Sequence, residues 1–318
     1  MVNKIWEWFY MSVTYSVVIP AFNEEEVIKM SYERLKGVMD KVGDYELIFI
    51  NDGSRDDTLK ILKEIAALDK SVKVISFSRN FGHQEAVSAG LAHVTGRAVI
   101  IIDADLQDPP EVIPDMIEKW KQGSDIVYGK RAKREGETAF KKVTAWGFYR
   151  VLNALGAQKV PRDTGDFRLI DRKVADVLNA MPEKNRFLRG MSAWAGFRQE
   201  PYEYVRASRA AGVTKYTMKK MLKLAGDGIT AFSNKPLKLP LVIGCTLMAL
   251  STVYLVLAVV FWCLGIWNEM HFVFSLLFMM IGILNISVGI QGIYIGRVYD
   301  EAKGRPIFII DEKVNIDE

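Results

Sequence analysis

Five short apolar runs, rich in β-branched residues, punctuate the first 130 positions of the chain: YSVVIP (15–20), ELIFIND (46–52), VKVISFS (72–78), RAVIIID (97–103) and DIVYGK (125–130). Runs of this length bounded by turn residues predict buried strands. The segments between them predict helices, over 24–41, about 57–68, 83–94 and 110–123. HQEAVSAGLAHV (83–94) carries apolar residues at helical spacing, and PEVIPDMIEKWKQG (110–123) opens on proline and closes on glycine. Strand–helix alternation with nearly continuous apolar strands predicts an α/β domain: a mostly parallel sheet covered on both faces. Ligands of such sheets sit at the carboxyl ends of the strands. Each run does end in a polar cluster there, namely PAFNEE (20–25), NDGSRDD (51–57), SRNFGH (78–83), DADLQDPP (103–110) and GKR (129–131).

Beyond residue 137 the pattern loosens. A helix is expected over 138–155, a loop leading into a strand at TGDFRLID (164–171), a helix near 172–180 and a strand at RQEPYEYV (198–205). Over 214–233, Met218, Met221, Leu222 and Ala225 recur at helical spacing while lysines occupy other faces. That pattern predicts an amphipathic helix lying on a membrane surface.

The hydropathy then changes character. No charged residue occurs from Leu239 to Asn268, and after Glu269 none from Met270 to Gly296. Each run exceeds the ~20 apolar residues that cross a bilayer, so two transmembrane helices are expected rather than buried core helices. Lys235 and Lys238 precede the pair and Arg297, Lys303 and Arg305 follow it, whereas the intervening turn has no Lys or Arg. The positive-inside rule places the large N-terminal part and the C-terminus in the cytoplasm of a cell whose inner membrane carries the protein. In the second run Gly282, Asn285, Gly289, Gly292 and Gly296 share one face. Small residues there let another helix approach, either the first span or a second copy in a homo-oligomer. The resulting division is a leader (1–13), a catalytic domain (14–213), a juxtamembrane helix region (214–236), the two spans (237–298) and a cytoplasmic tail (299–318).

Composition changes this picture little. The 318 residues carry a net charge of +4, at a mean hydropathy of +0.07, which gives no sign of a nucleic-acid partner. The opening MVNKIWEWFYMSV has too short an apolar core and no small-residue cleavage site for a signal peptide; it reads as an interfacial anchor through Trp6, Trp8 and Phe9, as a disordered leader, or as sequence ahead of a true start at Met11. Cys245 and Cys263 are the only cysteines. On one helix they would stand ~27 Å apart, too far to bridge. Neither GxGxxG after the first strand nor GxxxxGK[ST] occurs, which argues against dinucleotide and P-loop sites.

The chemistry gathers at DADLQDPP. Two carboxylates at i and i+2 past a strand end can hold a hard divalent cation, which takes one or two protein carboxylates and fills its shell with water and phosphate oxygens. Isolated Asp-x-Asp pairs also serve as caps and turns. Here the pair adjoins Gln107 and a Pro-Pro stop and faces NDGSRDD across the sheet edge.

VVIPAFNEE, NDGSRDDT, SRNFGHQEAVSAGL, DADLQDPP, GKR, TGDFRL, SRAAGVTKY and GRP occur in an order that resembles glycosyltransferase family 2, with its GT-A fold. The chain is most similar to the polyprenyl-phosphate group of that family, the bactoprenol glucosyltransferases and dolichol-phosphate mannosyltransferases, from about residue 14 to 308. The resemblance implies inverting transfer of a sugar from a nucleotide-sugar, UDP-linked or GDP-linked, to a polyprenyl phosphate. By the same resemblance Pro20, Ala21, Asn23 and Glu24 match the first nucleotide-binding segment, and Asp52 the acid that contacts the base. Asp103 would contact ribose or metal, and Asp105 with Gln107 would hold Mg2+ or Mn2+ on the diphosphate. Asp166 matches the position often described as the base; a phosphate acceptor, already largely anionic, has little need of one, so orientation of the acceptor is the expected role.

Two anions must meet in that reaction, so cations are required. Arg131 at a strand end, with Arg206 and Arg209 near the amphipathic helix, are the candidates for the donor and acceptor phosphates, ahead of Arg134 and Lys215. His83 is either part of the nucleotide pocket or a structural helix-start residue, and His93 and His271 read as structural. Two rival functions stay open. A processive polysaccharide synthase would carry QxxRW and more spans, although MSAWAG (191–196) occupies a comparable region; a silent nucleotide-binding anchor would not need intact DAD, GKR and TGD elements.

Overall fold

The structure, a computed structural model, describes residues 13–131, 164–205, 263–264 and 270–316. The chain divides into two compact units. The first holds a sheet with strands, among the described residues, in the order β7-β5-β6-β4-β1-β2-β3-β8. Its elements are β1 (Tyr15–Ala21), α1 (Ile28–Met39), β2 (Tyr45–Asn51), α2 (Thr58–Leu68), β3 (Val72–Phe77), α3 (His83–His93) and β4 (Ala98–Ile101). A 3-10 turn at Pro110–Val112 leads into α4 (Ile113–Lys121), followed by β5 (Ile126–Arg131), β6 (Thr164–Asp171), α5 (Arg172–Ala180), α6 (Leu188–Trp194), β7 (Gln199–Tyr204) and β8 (Ile310–Val314).

β1 pairs in parallel with β2 and β4, and β2 with β3. Val17, Val18, Ile19, Leu47, Ile48, Phe49, Ile50, Val99 and Ile100 are fully buried, as strands covered on both faces require. The helices that cover them present apolar stripes, such as Ile28, Leu35 and Met39 of α1 and Ile113, Met116 and Ile117 of α4. Gly90 of α3 permits a close crossing, since a Cβ there would stand 2.3 Å from Val18 Cγ1.

Two departures from the expected strands matter for the site. β4 ends at Ile101, two residues before the expected end, so Asp103 already lies in the loop. TGD is not a loop: β6 begins at Thr164 and runs antiparallel between β4 and β5. Its register, Ile101 opposite Arg168, carries its first residues to the carboxyl end of β4.

The C-terminal segment also departs from a plain tail. β8 pairs antiparallel with β3 and closes that edge of the sheet. It is short and charged, Ile-Asp-Glu-Lys-Val, the composition of an edge strand that resists further pairing. Lys63 reaches Glu312 at 2.5 Å, and the Asn315 amide donates to the carbonyls of Ala66 and Val72.

The second unit contains α7 (Met270–Ala302), a 33-residue helix. Taken over the described residues alone, no helix is long and apolar enough to cross a membrane. The expected second span coincides with α7, whose side chains are described only in part, and the first lies outside the described residues except for Cys263 and Leu264. The leader through residue 12, the helices expected over 138–155 and 214–233, and Arg134, Arg206, Arg209 and Lys215 also lie outside them.

Candidate functional site

The carboxyl ends of β1, β2, β3 and β4 come to one edge, and the loops leaving them are tied to each other. Pro20 and Ala21 end β1 opposite Ile50 and Asn51 of β2. Asn23 takes a positive φ of 53°. Its carboxamide oxygen accepts the Arg55 N–H at 2.8 Å and its own N–H donates to Ser54 Oγ at 3.0 Å. The Glu24 N–H donates to Thr58 Oγ1 at 2.9 Å, so the first and second loops form one support.

Asp52 joins the second loop to the third. Its carboxylate accepts the Phe81 N–H at 2.7 Å, the Gly82 N–H at 3.1 Å and the Asn80 amide at 2.8 Å. The residue is 3% exposed, and its carboxylate anchors the 79–82 loop. Burial pushes its pKa up against the lowering effect of the Phe81 and Gly82 amides. Gly53 follows with a φ of +64°, and a Cβ there would stand 2.3 Å from the carbonyl carbon of Arg79.

The DAD loop divides its acids between two tasks. Asp108 is buried and accepts the hydroxyl of Tyr204, which fastens the Pro-Pro turn to β7. Gly129 leaves room for that tyrosine, since a Cβ there would lie 2.7 Å from the Tyr204 ring. Asp105 is 7% exposed and accepts the Gln107 N–H at 3.1 Å, a turn completed by Leu106 at a φ of 58°. Asp103 faces the sheet edge and meets His83 Nε2 at 2.8 Å.

His83 opens α3, and its other ring nitrogen lies 3.8 Å from Asp166. Burial alone would lower its pKa, but Asp103 and Asp166 outweigh it and raise the group to about 9. The DAD acid and the TGD acid therefore stand one imidazolium apart. Arg189 of α6 grips the other side of Asp166, with Nε at 2.8 Å from one oxygen and Nη2 at 3.2 Å from the other. Gln84 donates to Asp166 at 3.3 Å while its carbonyl accepts the Leu188 N–H at 3.0 Å, which fixes the start of α6. Arg168 lies buried beneath, bonded to Ser192 Oγ and to the carbonyls of Gly165 and Asp166. Burial raises the pKa of Asp166, yet Arg189, His83 and Arg168 reverse this and hold it well below the usual carboxylate range. It is a pinned anion and a weak base.

The structure thus brings Asp103, Asp105, Gln107 and Asp166 to the edge where β1 and β2 deliver Pro20, Ala21, Asn23, Glu24 and Asp52. The backbone of Arg131 ends β5 at that edge, opposite Tyr204 of β7. Arg189, Gln84 and Arg168 are additions that the motifs did not announce. Gln84 directly follows the strand-end cluster SRNFGH and Arg168 lies within TGDFRL, whereas Arg189 lies in none of the motifs. His93 is structural as expected, with Nδ1 at 2.8 Å from the Ala89 carbonyl.

Among the described residues no group of three or more His, Cys, Asp or Glu could hold a metal unaided. The donor set still fits a hard divalent cation shared with a diphosphate. Asp103 and Asp105 offer the one or two carboxylates such an ion takes from protein, the remaining ligands being phosphate and water oxygens.

Comparison with known proteins gives the family. The family model described as glycosyl transferase family 2 matches residues 16–178. The glycosyltransferase YkcC of Bacillus subtilis (strain 168) is 50% identical over 311 residues, covering 96% of this chain and 95% of its own. The bactoprenol glucosyl transferase of Shigella phage SfV is 41% identical over 299 residues, covering 93% and 97%. Among solved structures, glucosyl-3-phosphoglycerate synthase from Mycobacterium tuberculosis, in complex with Mn2+ and uridine-diphosphate-glucose, aligns over 72% of this chain and 81% of its own, with a TM-score of 0.45 and 22% identity. With its strand-end motifs gathered on one edge and full-length relatives of this kind, the chain belongs to glycosyl transferase family 2 and is a glycosyltransferase.

Proposed function

We propose that the protein transfers one sugar from a nucleotide-sugar to the phosphate of a polyprenyl lipid, with inversion at the anomeric carbon, at the cytoplasmic face of the membrane. One observation carries this reading: His83 joins Asp103 of the DAD loop to Asp166 of β6, at 2.8 and 3.8 Å. The group that would meet the donor diphosphate and the group that would meet the acceptor are thereby held a single side chain apart. The similarity to proteins named bactoprenol glucosyl transferase supports the polyprenyl acceptor, and a UDP-sugar is the donor proposed first.

Asp103 and Asp105, with Gln107 beside them, would hold Mg2+ or Mn2+. The cation, when bound, would supply neutralisation of the charge growing on the leaving nucleoside diphosphate. The pinned Asp166 suits this acceptor. A phosphate monoester has its second pKa near ~6 and arrives as an anion, so the site needs orientation more than proton removal. Arg189 fixes the Asp166 carboxylate in one orientation. Arg131, Arg206 and Arg209 are proposed to contact the phosphates of donor and acceptor, offsetting the repulsion between two anions.

The expected spans and their basic flanks support anchoring of the catalytic unit beside a lipid-borne acceptor. A screen of purified full-length protein against UDP- and GDP-sugars, with a polyprenyl phosphate and a divalent cation, tests the reading by product mass. A lipid carrying a single sugar is expected. A polymer would support a processive synthase instead, and retained nucleotide binding without product would support a silent anchor.

A further inference from the structure

We propose that Phe308, in the C-terminal segment, is a positioning residue of the donor site, acting through Phe77 and Phe81 on the loop that Asp52 holds. Phe308 stacks on Phe77, with centroids 5.2 Å apart and planes 8° from parallel. Phe77 meets Phe81 edge to face at 5.6 Å and 85°. The Arg79 guanidinium covers the Phe81 ring, 3.9 Å from its centroid. The residue at the far end of this row, Phe81, is the one whose N–H makes the 2.7 Å bond to Asp52.

The backbone repeats the connection. The Ser78 N–H donates to the Ile309 carbonyl at 3.1 Å, where β3 turns into the loop. The β3–β8 register shifts between Ser76 and Phe77, so a bulge falls beside the stacked pair. Asn315 pins the other end of the segment to the carbonyls of Ala66 and Val72. Phe77 is 3% exposed, whereas Phe81 and Phe308 are partly open to solvent. The row therefore runs along the surface of the sheet end, beside the loop, rather than through the core. On the loop's other side Gly53 packs against the backbone of Arg79 and Asn80, where a Cβ would stand 2.3 Å from the Arg79 carbonyl carbon. Displacing Phe81 is expected to draw the Phe81 and Gly82 amides away from Asp52.

The proposal rests on the reading that this edge binds the nucleotide of the donor. Its test uses the full-length protein with Phe308→Ala, Phe308→Tyr and Ile309→Ala, the last a neighbouring exposed side chain outside the row. Amide hydrogen exchange without ligand reads the loop directly, and calorimetry with UDP and with GDP reads the site. Phe308→Ala is expected to speed exchange at Phe81 and Gly82 by about tenfold while β4 amides keep their wild-type rates. It is also expected to weaken nucleoside-diphosphate binding by about tenfold, the scale of one lost ring pair. Phe308→Tyr and Ile309→Ala should match wild type in both. Unchanged exchange at Phe81 and Gly82 would overturn the proposal, as would an equal rise throughout the sheet or faster exchange with full affinity. Wild-type protein that binds neither nucleotide would instead contradict the functional reading, and exchange alone would then decide whether Phe308 holds the loop.

Discussion

Asp166 sits on β6 with Arg189 along one side and His83 on the other, and its chemistry follows from them. A carboxylate held so far below its ordinary pKa keeps its charge as pH falls through the usual Asp range near ~3.9. The stabilisation it gains from Arg189 is present above that range and is lost only as pH falls through the depressed folded-state pKa. Wild-type turnover should accordingly show no acid limb from Asp166 across the usual Asp range, and Arg189→Ala should move that limb upward. Arg189→Ala should also lower kcat by roughly 10²-fold, the scale of a misplaced reacting group, and Arg189→Lys should restore part of it. Steady-state kinetics across pH checks both; unchanged kcat and an unchanged profile would remove Arg189 from the site. Asp166→Asn should cost at least as much, through lost orientation. The sequence motif TGD announced Asp166, but Arg189 follows 23 residues later on a short helix that only the packing of α6 against Gln84 brings back. Spacing alone carries no signal for such a contact.

At the scale of elements, the alternation of apolar runs was enough to place β1 to β5 and the helices between them, because buried parallel strands leave little freedom in their composition. The loops were harder. DADLQDPP reads as one acidic cluster, yet Asp108 accepts from Tyr204 and fastens the loop to β7, Asp105 also accepts from the Gln107 N–H of its own turn, and Asp103 meets His83. That division depends on β7, which comes far later in the chain. β8 escaped notice because its five residues are mostly charged and follow a long apolar helix. The loop contacts make a sharp prediction at Gly53, where φ is +64° and a Cβ would sit 2.3 Å from backbone. Gly53→Ala should destabilise the first unit by about 1–3 kcal/mol and weaken donor binding, through backbone strain and the displaced 79–82 loop. Thermal unfolding with and without UDP checks it; wild-type stability and affinity would show that the loop shifts without cost.

At the scale of the whole molecule, the strand-end site is proposed to meet an acceptor carried by the membrane. The two uncharged runs and their basic flanks predict that alkaline phosphatase fused after Asn268 is active, while a fusion at the C-terminus is inactive. The reverse pattern would put the catalytic unit on the wrong side of the membrane for nucleotide-sugars. The most direct measurement compares glycolipid formation by wild-type protein and Asp105→Ala, with Mg2+ or Mn2+ added and after chelation. The account predicts product carrying one sugar from wild type with cation, and a loss of roughly 10²-fold or more on either removing the carboxylate or removing the ion. Undiminished synthesis by Asp105→Ala, or by chelated wild type, would contradict it.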